Sequence, residues 1–221
     1  MDPGIGDSED SSWKVRLASI QILDALIENR PDILQERFKV VFDALLSRTA
    51  EPVTEVRLEV FKTLSSLIRS AVILEDNTNT SLSLSRKRSF FVIVESEFPR
   101  LIPVLVASCK QDLASKNGAL GVLVVVTRVI ERLDDFADTL YPLILESLSS
   151  DHAETISSSL KIFSRLLETS LMLSQSLVRE HDRAISLVLK SCVDVPYEAV
   201  RLTAIQSVSD LINSKGGILH H

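Results

Sequence analysis

Between Ser11 and Asn29 the apolar residues fall with helical spacing. Val15, Ala18, Ile22 and Ala25 form one side, and Leu17, Ile20, Leu23 and Ile27 form a second. Lys14, Gln21, Asp24 and Glu28 occupy the remaining stripe. The spacing predicts an amphipathic helix with a wide apolar surface, started by Ser11 or Ser12 as an N-cap. A helix apolar on two sides needs neighbours on both flanks, and the rest of the chain repeats this element. Arg30-Pro31-Asp32 stops it, because proline lacks an N–H and restricts the residue before it. A second helix is expected over 33–48, with Phe38, Val41, Phe42, Leu45 and Leu46 on its apolar side. After the turn at Glu51-Pro52 the opening theme restarts, so that Val15 and Val56 stand 41 residues apart. That period suits a repeated pair of helices.

Residues 70–89 interrupt the pattern with a polar, serine-rich run and are expected to form a flexible loop. Helices resume at Phe90. The element around Leu101-Ile102-Pro103, closed by Asp112, is copied around Tyr141-Pro142-Leu143, closed by Asp151. The two prolines are 39 residues apart, and each aspartate follows its proline by nine. Further helices are expected over 115–133, 154–173, 180–193 and 197–214. The expected organisation is an acidic disordered lead (1–10), a helical array (11–214) with an insertion at 70–89, and a disordered tail (215–221). The tail resembles the start of a purification tag, so His220 and His221 are set aside from metal reasoning.

The motif Leu101-Ile102-Pro103-Val104-Leu105, then Asp, then Val-Arg and an apolar helix, resembles the HEAT repeat. The resemblance covers residues 11–214 and implies an all-α, right-handed superhelical solenoid of about four and a half helix pairs. The array opens on the second helix of a pair, as an internal piece of a longer solenoid would. In HEAT solenoids the second helices line the concave face. Here their polar stripes are Lys14/Gln21/Asp24/Glu28, Glu55/Glu59/Lys62/Ser66/Arg69, Lys161/Arg165/Glu168 and Thr203/Gln206/Asp210/Asn213. Lys14, Glu28, Glu55, Glu59, Lys62, Lys161 and Arg165 are the candidate partner-binding residues. Arg16, Arg57 and Arg201 fit a structural ladder pairing with aspartates of neighbouring turns.

The opening adds a narrower resemblance. An acidic lead, Asp7-Ser8-Glu9-Asp10, runs into Ser12-Trp13-Lys14-Val15-Arg16. This is similar to the interior of the cullin-associated, neddylation-dissociated proteins, from which it departs at Leu17 and Ser19. That resemblance implies a scaffold that wraps an unmodified cullin with its RING subunit, excludes the ubiquitin-like modifier and exchanges substrate-receptor modules. A cytoplasmic and nuclear location is expected separately, from two cysteines, Cys109 and Cys192, that make no disulfide framework. The alternatives are another HEAT scaffold, such as a phosphatase scaffold or transport receptor, and a HEAT domain attached to an enzyme.

Composition agrees with a binding module. Among 221 residues, 45% are hydrophobic, 24% are charged and the net charge is −6. An acidic chain is a poor nucleic-acid ligand and favours a basic protein partner. The most apolar run, 119–126, is short of the roughly 20 residues a membrane helix needs. That run is expected to be buried by both neighbouring helices, or alternatively to offer an exposed apolar groove to a partner. Cys109 and Cys192 make no disulfide framework and are expected to be buried, reduced thiols. No phosphate loop, Cys-x-x-Cys, His-Glu-x-x-His or Gly-x-Ser-x-Gly motif is present. His152, His181, Asp134-Asp135 and the Glu95/Glu97 pair stand without a constellation, so neither catalysis nor a cofactor is expected. Arg86-Lys87-Arg88-Ser89 is read as a basic loop edge, or alternatively as a phosphorylation or import signal. The chain is expected to be monomeric.

Overall fold

The helices of a computed structural model follow these breaks closely. It describes residues 11–76, 92–130, 133–169 and 178–216. In order they are α1 (Ser12–Asn29), α2 (Pro31–Ser47), α3 (Thr54–Asp76), α4 (92–96), α5 (Phe98–Ser108), α6 (Leu113–Val129), α7 (Ala137–Leu148), α8 (Ala153–Thr169), α9 (Val178–Val193) and α10 (Glu198–Gly216). A 3-10 turn at Asp134–Phe136 leads into α7. No strand occurs among the described residues.

Local chemistry places the boundaries. Pro31 opens α2, where its missing N–H is one of the unpaired donors of a first turn anyway. Asp112 caps α6, its side chain accepting from the Ser115 amide. Pro103 and Pro142 lie inside α5 and α7 at matching positions, so each removes one intrahelical hydrogen bond at the same place in its repeat. α3 runs on to Asp76, past the point where the interruption was expected to begin. The remainder of that insertion, with Arg86–Ser89, lies outside the described residues, as do the lead at 1–10 and most of the tail.

Packing turns the helices into a two-layer solenoid. The second helices α1, α3, α6, α8 and α10 lie side by side in one row, and α2, α5, α7 and α9 each back onto the second helix of their own pair. Neighbours in the second-helix row touch far more extensively than neighbours in the other row. Closer spacing in one layer curves the stack, with the tighter row on the inside. One continuous core fills the space between the rows, including Phe38, Phe42, Phe61, Phe98, Tyr141 and Phe163. Phe38 stacks on Phe42 at 5.6 Å, and Tyr141 meets Phe163 edge-on at 6.3 Å. Burial pushes the Tyr141 hydroxyl up to about 12. The apolar run of α6 is sandwiched as expected, with Ala119, Leu120, Val122, Leu123 and Val126 fully buried.

Two expectations about α1 are corrected. Only one of its two apolar sides is covered: Ile20 and Ile27 are buried, whereas Val15 and Ile22 are 68% and 63% exposed. Asp24, placed in the solvent-facing stripe, is buried because the neighbouring helix supplies it with a cation. Ser66 of α3, also assigned to a polar stripe, is buried as well. Cys109 is buried, with its thiol pushed up to about 12 by burial, while Cys192 is only half-buried.

Candidate functional site

The row of second helices is held together by polar rungs, and these rungs leave certain side chains available. Arg16 of α1 meets Glu51, in the turn before α3, at 2.8 Å. Arg57 of α3 meets Asp112, in the turn before α6, at 2.7 Å. Each arginine thus reaches the acid in the turn between the two helices of the next pair. Arg57 also donates to the Ser115 hydroxyl at 2.7 Å and to the Glu51 carbonyl at 2.5 Å. The Asp112 carboxyl is held below its usual range by the Ser115 amide first, then by the Ser115 hydroxyl and Arg57. In α6 a neutral amide takes the place of the arginine: Asn117 donates to the Glu154 carboxylate at 2.9 Å and accepts from Thr155 at 2.6 Å. Arg201 repeats one half of the Arg57 arrangement by donating to the Val195 carbonyl at 2.9 Å. Of the expected ladder of arginines on aspartates of neighbouring turns, only Arg57–Asp112 forms as expected: Arg16 takes a glutamate instead, and Arg201 bonds a backbone carbonyl of its own turn.

One turn further along, Lys62 bridges α1 and α3. Its ammonium lies 3.0 Å from Asp24 and 2.9 Å from Glu59. Glu59, then Asp24, raise Lys62 well above the usual lysine range. Of the candidate partner-binding residues, Glu59 and Lys62 thus belong to an inter-repeat clasp. Lys14 is exposed, with its ammonium 5.7 Å from the Trp13 ring. Glu28 and Glu55 are exposed, but they sit at opposite ends of parallel helices and do not converge. Lys161 and Arg165 do converge. They line one groove of about 470 Å³ between α8 and α10, which Arg128 of α6 joins. Arg165 pairs with Glu168 and also reaches the Thr127 carbonyl at 3.4 Å.

A larger groove of about 750 Å³ runs along α3 and α6 to Glu154 of α8. Its floor includes Gly118 and Gly121, and Leu58, Val125, Lys62 and Arg69 stand around it. The near absence of a polar stripe in the first half of α6 leaves an apolar groove there as the alternative to burial. Two glycines three apart inside an apolar run were the available signal. Arg128 was missed, because only the adjacent helix makes it a neighbour of Lys161.

Among the described residues, no three His, Cys, Asp or Glu side chains gather as a metal ion requires. No helix among them is long and apolar enough to cross a membrane.

Comparison with known proteins extends the resemblance from the opening residues to nearly the whole chain. No family model matches. The chain is 24% identical over 212 residues to Cullin-associated NEDD8-dissociated protein 1 of Dictyostelium discoideum, covering 94% of this chain and 16% of that protein. It is 26% identical over 209 residues to the Arabidopsis thaliana protein of the same name, covering 92% of this chain and 16% of the relative. Cullin-associated NEDD8-dissociated protein 2 of Mus musculus is 26% identical over 118 residues, half of this chain and 9% of the relative. The chain thus spans about a sixth of the length of the relatives it matches most fully. Among solved structures, an engineered protein aligns at TM-score 0.49 and 12% identity over 94% of each chain. A designed armadillo repeat protein aligns at TM-score 0.47 and 12% identity over 93% of this chain and 96% of its own.

Proposed function

We propose that this chain is a non-catalytic scaffold segment of a cullin-binding solenoid, which holds unmodified cullin–RING ligases and promotes exchange of their substrate-receptor modules. The observation that carries this reading is the similarity of over nine-tenths of the chain to cullin-associated proteins, across an array of paired helices. A solenoid suits the task physically, because its binding surface is spread over many repeats and follows a large partner along an arc. The second helices supply that surface, with Lys14, Glu28, Glu55, Lys161 and Arg165 as the side chains offered to the partner. Such a protein works where cullins do, in cytoplasm and nucleus.

The test is a pull-down with the full-length protein that contains this chain. Unmodified and modifier-conjugated cullin–RING complexes are offered separately, beside a deletion of residues 11–214. Retention of the unmodified form alone, weakened by the deletion, supports the reading. Equal capture of both forms, or no capture at all, overturns it in favour of a scaffold for a different assembly.

A further inference from the structure

We propose that the groove between α8 and α10 takes an acidic linear peptide segment, whose carboxylates meet Arg128 and Lys161. The inference rests on reading the chain as a protein-binding scaffold, and it names the place and chemistry of one contact.

The groove, of about 470 Å³, is lined from three helices of the second-helix row. Arg128 comes from α6, Lys161, Arg165 and Glu168 from α8, and Leu202 from α10. Its charged lining is thus three cations against one carboxylate. That carboxylate, Glu168, is taken by Arg165 within its own helix. Arg128 and Lys161 are exposed, and neither enters an ion pair among the described residues. The neighbouring groove over α6 is different. There Lys62 is held by Asp24 and Glu59, and the Glu154 carboxylate offsets Arg69 in count.

The fold gains little from this crowding of cations. Unpaired carbonyls favour a basic side chain in the last turn of a helix, which accounts for Arg128 at the end of α6. They do not account for two more cations brought beside it by α8. Lys161 and Arg165 are four residues apart on that helix, where like charges repel and weaken it. Glu168 relieves Arg165 alone. A carboxylate supplied by a partner relieves the other two.

The local preference is therefore for an acidic segment, opposite to the basic partner that net charge alone suggests. A peptide fits better than a nucleic acid. The cations are confined to one groove on a chain of net charge −6, and at physiological salt their attraction fades over about 8 Å. A short acidic segment stays within that range, whereas a long polyanion runs out of it onto an acidic protein. The lining has no aromatic ring for a base to stack on, and Leu202, 60% exposed, offers an apolar shoulder to a peptide side chain.

The probes are fluorescein-labelled nonapeptides of alternating Glu and Ala, or alternating Gln and Ala, read by fluorescence anisotropy at low salt. A labelled twenty-residue oligothymidylate serves as the competing polyanion. The Glu peptide is expected to bind at least about tenfold more tightly than the Gln peptide, and raising the salt to about 0.5 M should erase the difference. Arg128→Glu combined with Lys161→Glu should weaken the Glu peptide by about tenfold or more and leave the Gln peptide unchanged. Arg128→Gln combined with Lys161→Gln should give an intermediate loss, and it decides the matter should the reversal disturb the fold. Arg69→Glu combined with Lys110→Glu changes the net charge equally at other places and should alter the affinity by less than about twofold. Absence of any preference for Glu over Gln, a preference that survives both groove variants, or an equal loss in the Arg69/Lys110 control overturns the proposal. So does oligothymidylate binding more tightly than the Glu peptide. The assay contains no cullin, so its failure leaves the cullin assignment standing, and failure of the cullin pull-down leaves the groove standing.

Discussion

Arg57 and Asp112 stand 55 positions apart in sequence and 2.7 Å apart in space. Through that contact the second helix of one pair grips the cap of the next. Four more acceptors around Arg57, the Glu51 and Pro52 carbonyls and the Ser115 and Thr54 hydroxyls, leave its guanidinium bound on all sides. Arg57 is 6% exposed, so its removal strands polar groups that water reaches poorly. Arg57→Met should therefore cost about 2–3 kcal/mol, as the loss of several hydrogen bonds to a buried charge. Urea denaturation of the variant measures this, and an unchanged midpoint would show that the rung only decorates the packing.

The same rung predicts the acid limb of stability. The Asp112 carboxyl has its pKa lowered in the folded chain, so its contribution is fully present above the ordinary value of 3.8. It is lost as pH falls through the lower folded value. Thermal stability should show no pH dependence from this group between about pH 5 and 7, where its contribution is full, and should decline below about pH 4. Asp112→Asn should flatten that part of the decline relative to wild type. Identical acid limbs in the two proteins would assign the decline to other carboxylates.

The two glycines of α6 should respond in opposite directions to alanine. Gly118→Ala drives a methyl group into the Phe61 ring and should lose about 1 kcal/mol after the helix-propensity gain is counted. Gly121→Ala enters open space and should gain about 0.5–1 kcal/mol. Paired melting curves decide the matter, and a loss at both positions would mean that the helix surface around Gly121 is closed.

Trp13 is half-buried and packs against the core from the first turn of α1. Full burial would make Trp13→Ala cost about 3–5 kcal/mol, and partial burial brings the expected loss to about 2. Equilibrium unfolding followed by circular dichroism measures it. A negligible change would mark the ring as a partner contact.

The thiols should react in order. Burial raises both above the free-cysteine range, and Cys109 is the more buried, at about 12. Iodoacetamide at pH 8 should label Cys192 first and reach Cys109 only as the array opens, because the thiolate is the reacting form. Mass spectrometry of partially labelled protein reads the order, and faster labelling of Cys109 would contradict its burial.

Helix positions were legible in the sequence because helix formation is local. The apolar spacing of 12–29, the breaks at Pro31 and Glu51-Pro52, the cap at Asp112 and the repeated Pro103 and Pro142 all act within a turn or two of themselves. The Arg57–Asp112 rung was legible too, because the repeat length returns that arginine to the height of the next turn, whereas the glutamate under Arg16 and the carbonyl under Arg201 were not. The partition of each helix surface among neighbours was not legible. Asp24 and Glu28 lie on one stripe, one turn apart, yet Asp24 is buried against Lys62 and Glu28 stays in solvent. Gly118 and Gly121 read alike, but only one faces an aromatic ring. Arg128 became a neighbour of Lys161 only when α6 and α8 packed together. Periodicity reports which residues share a face. What that face meets depends on the separation, register and side-chain size of a helix some 40 residues away, and those quantities exist only once the layers have packed.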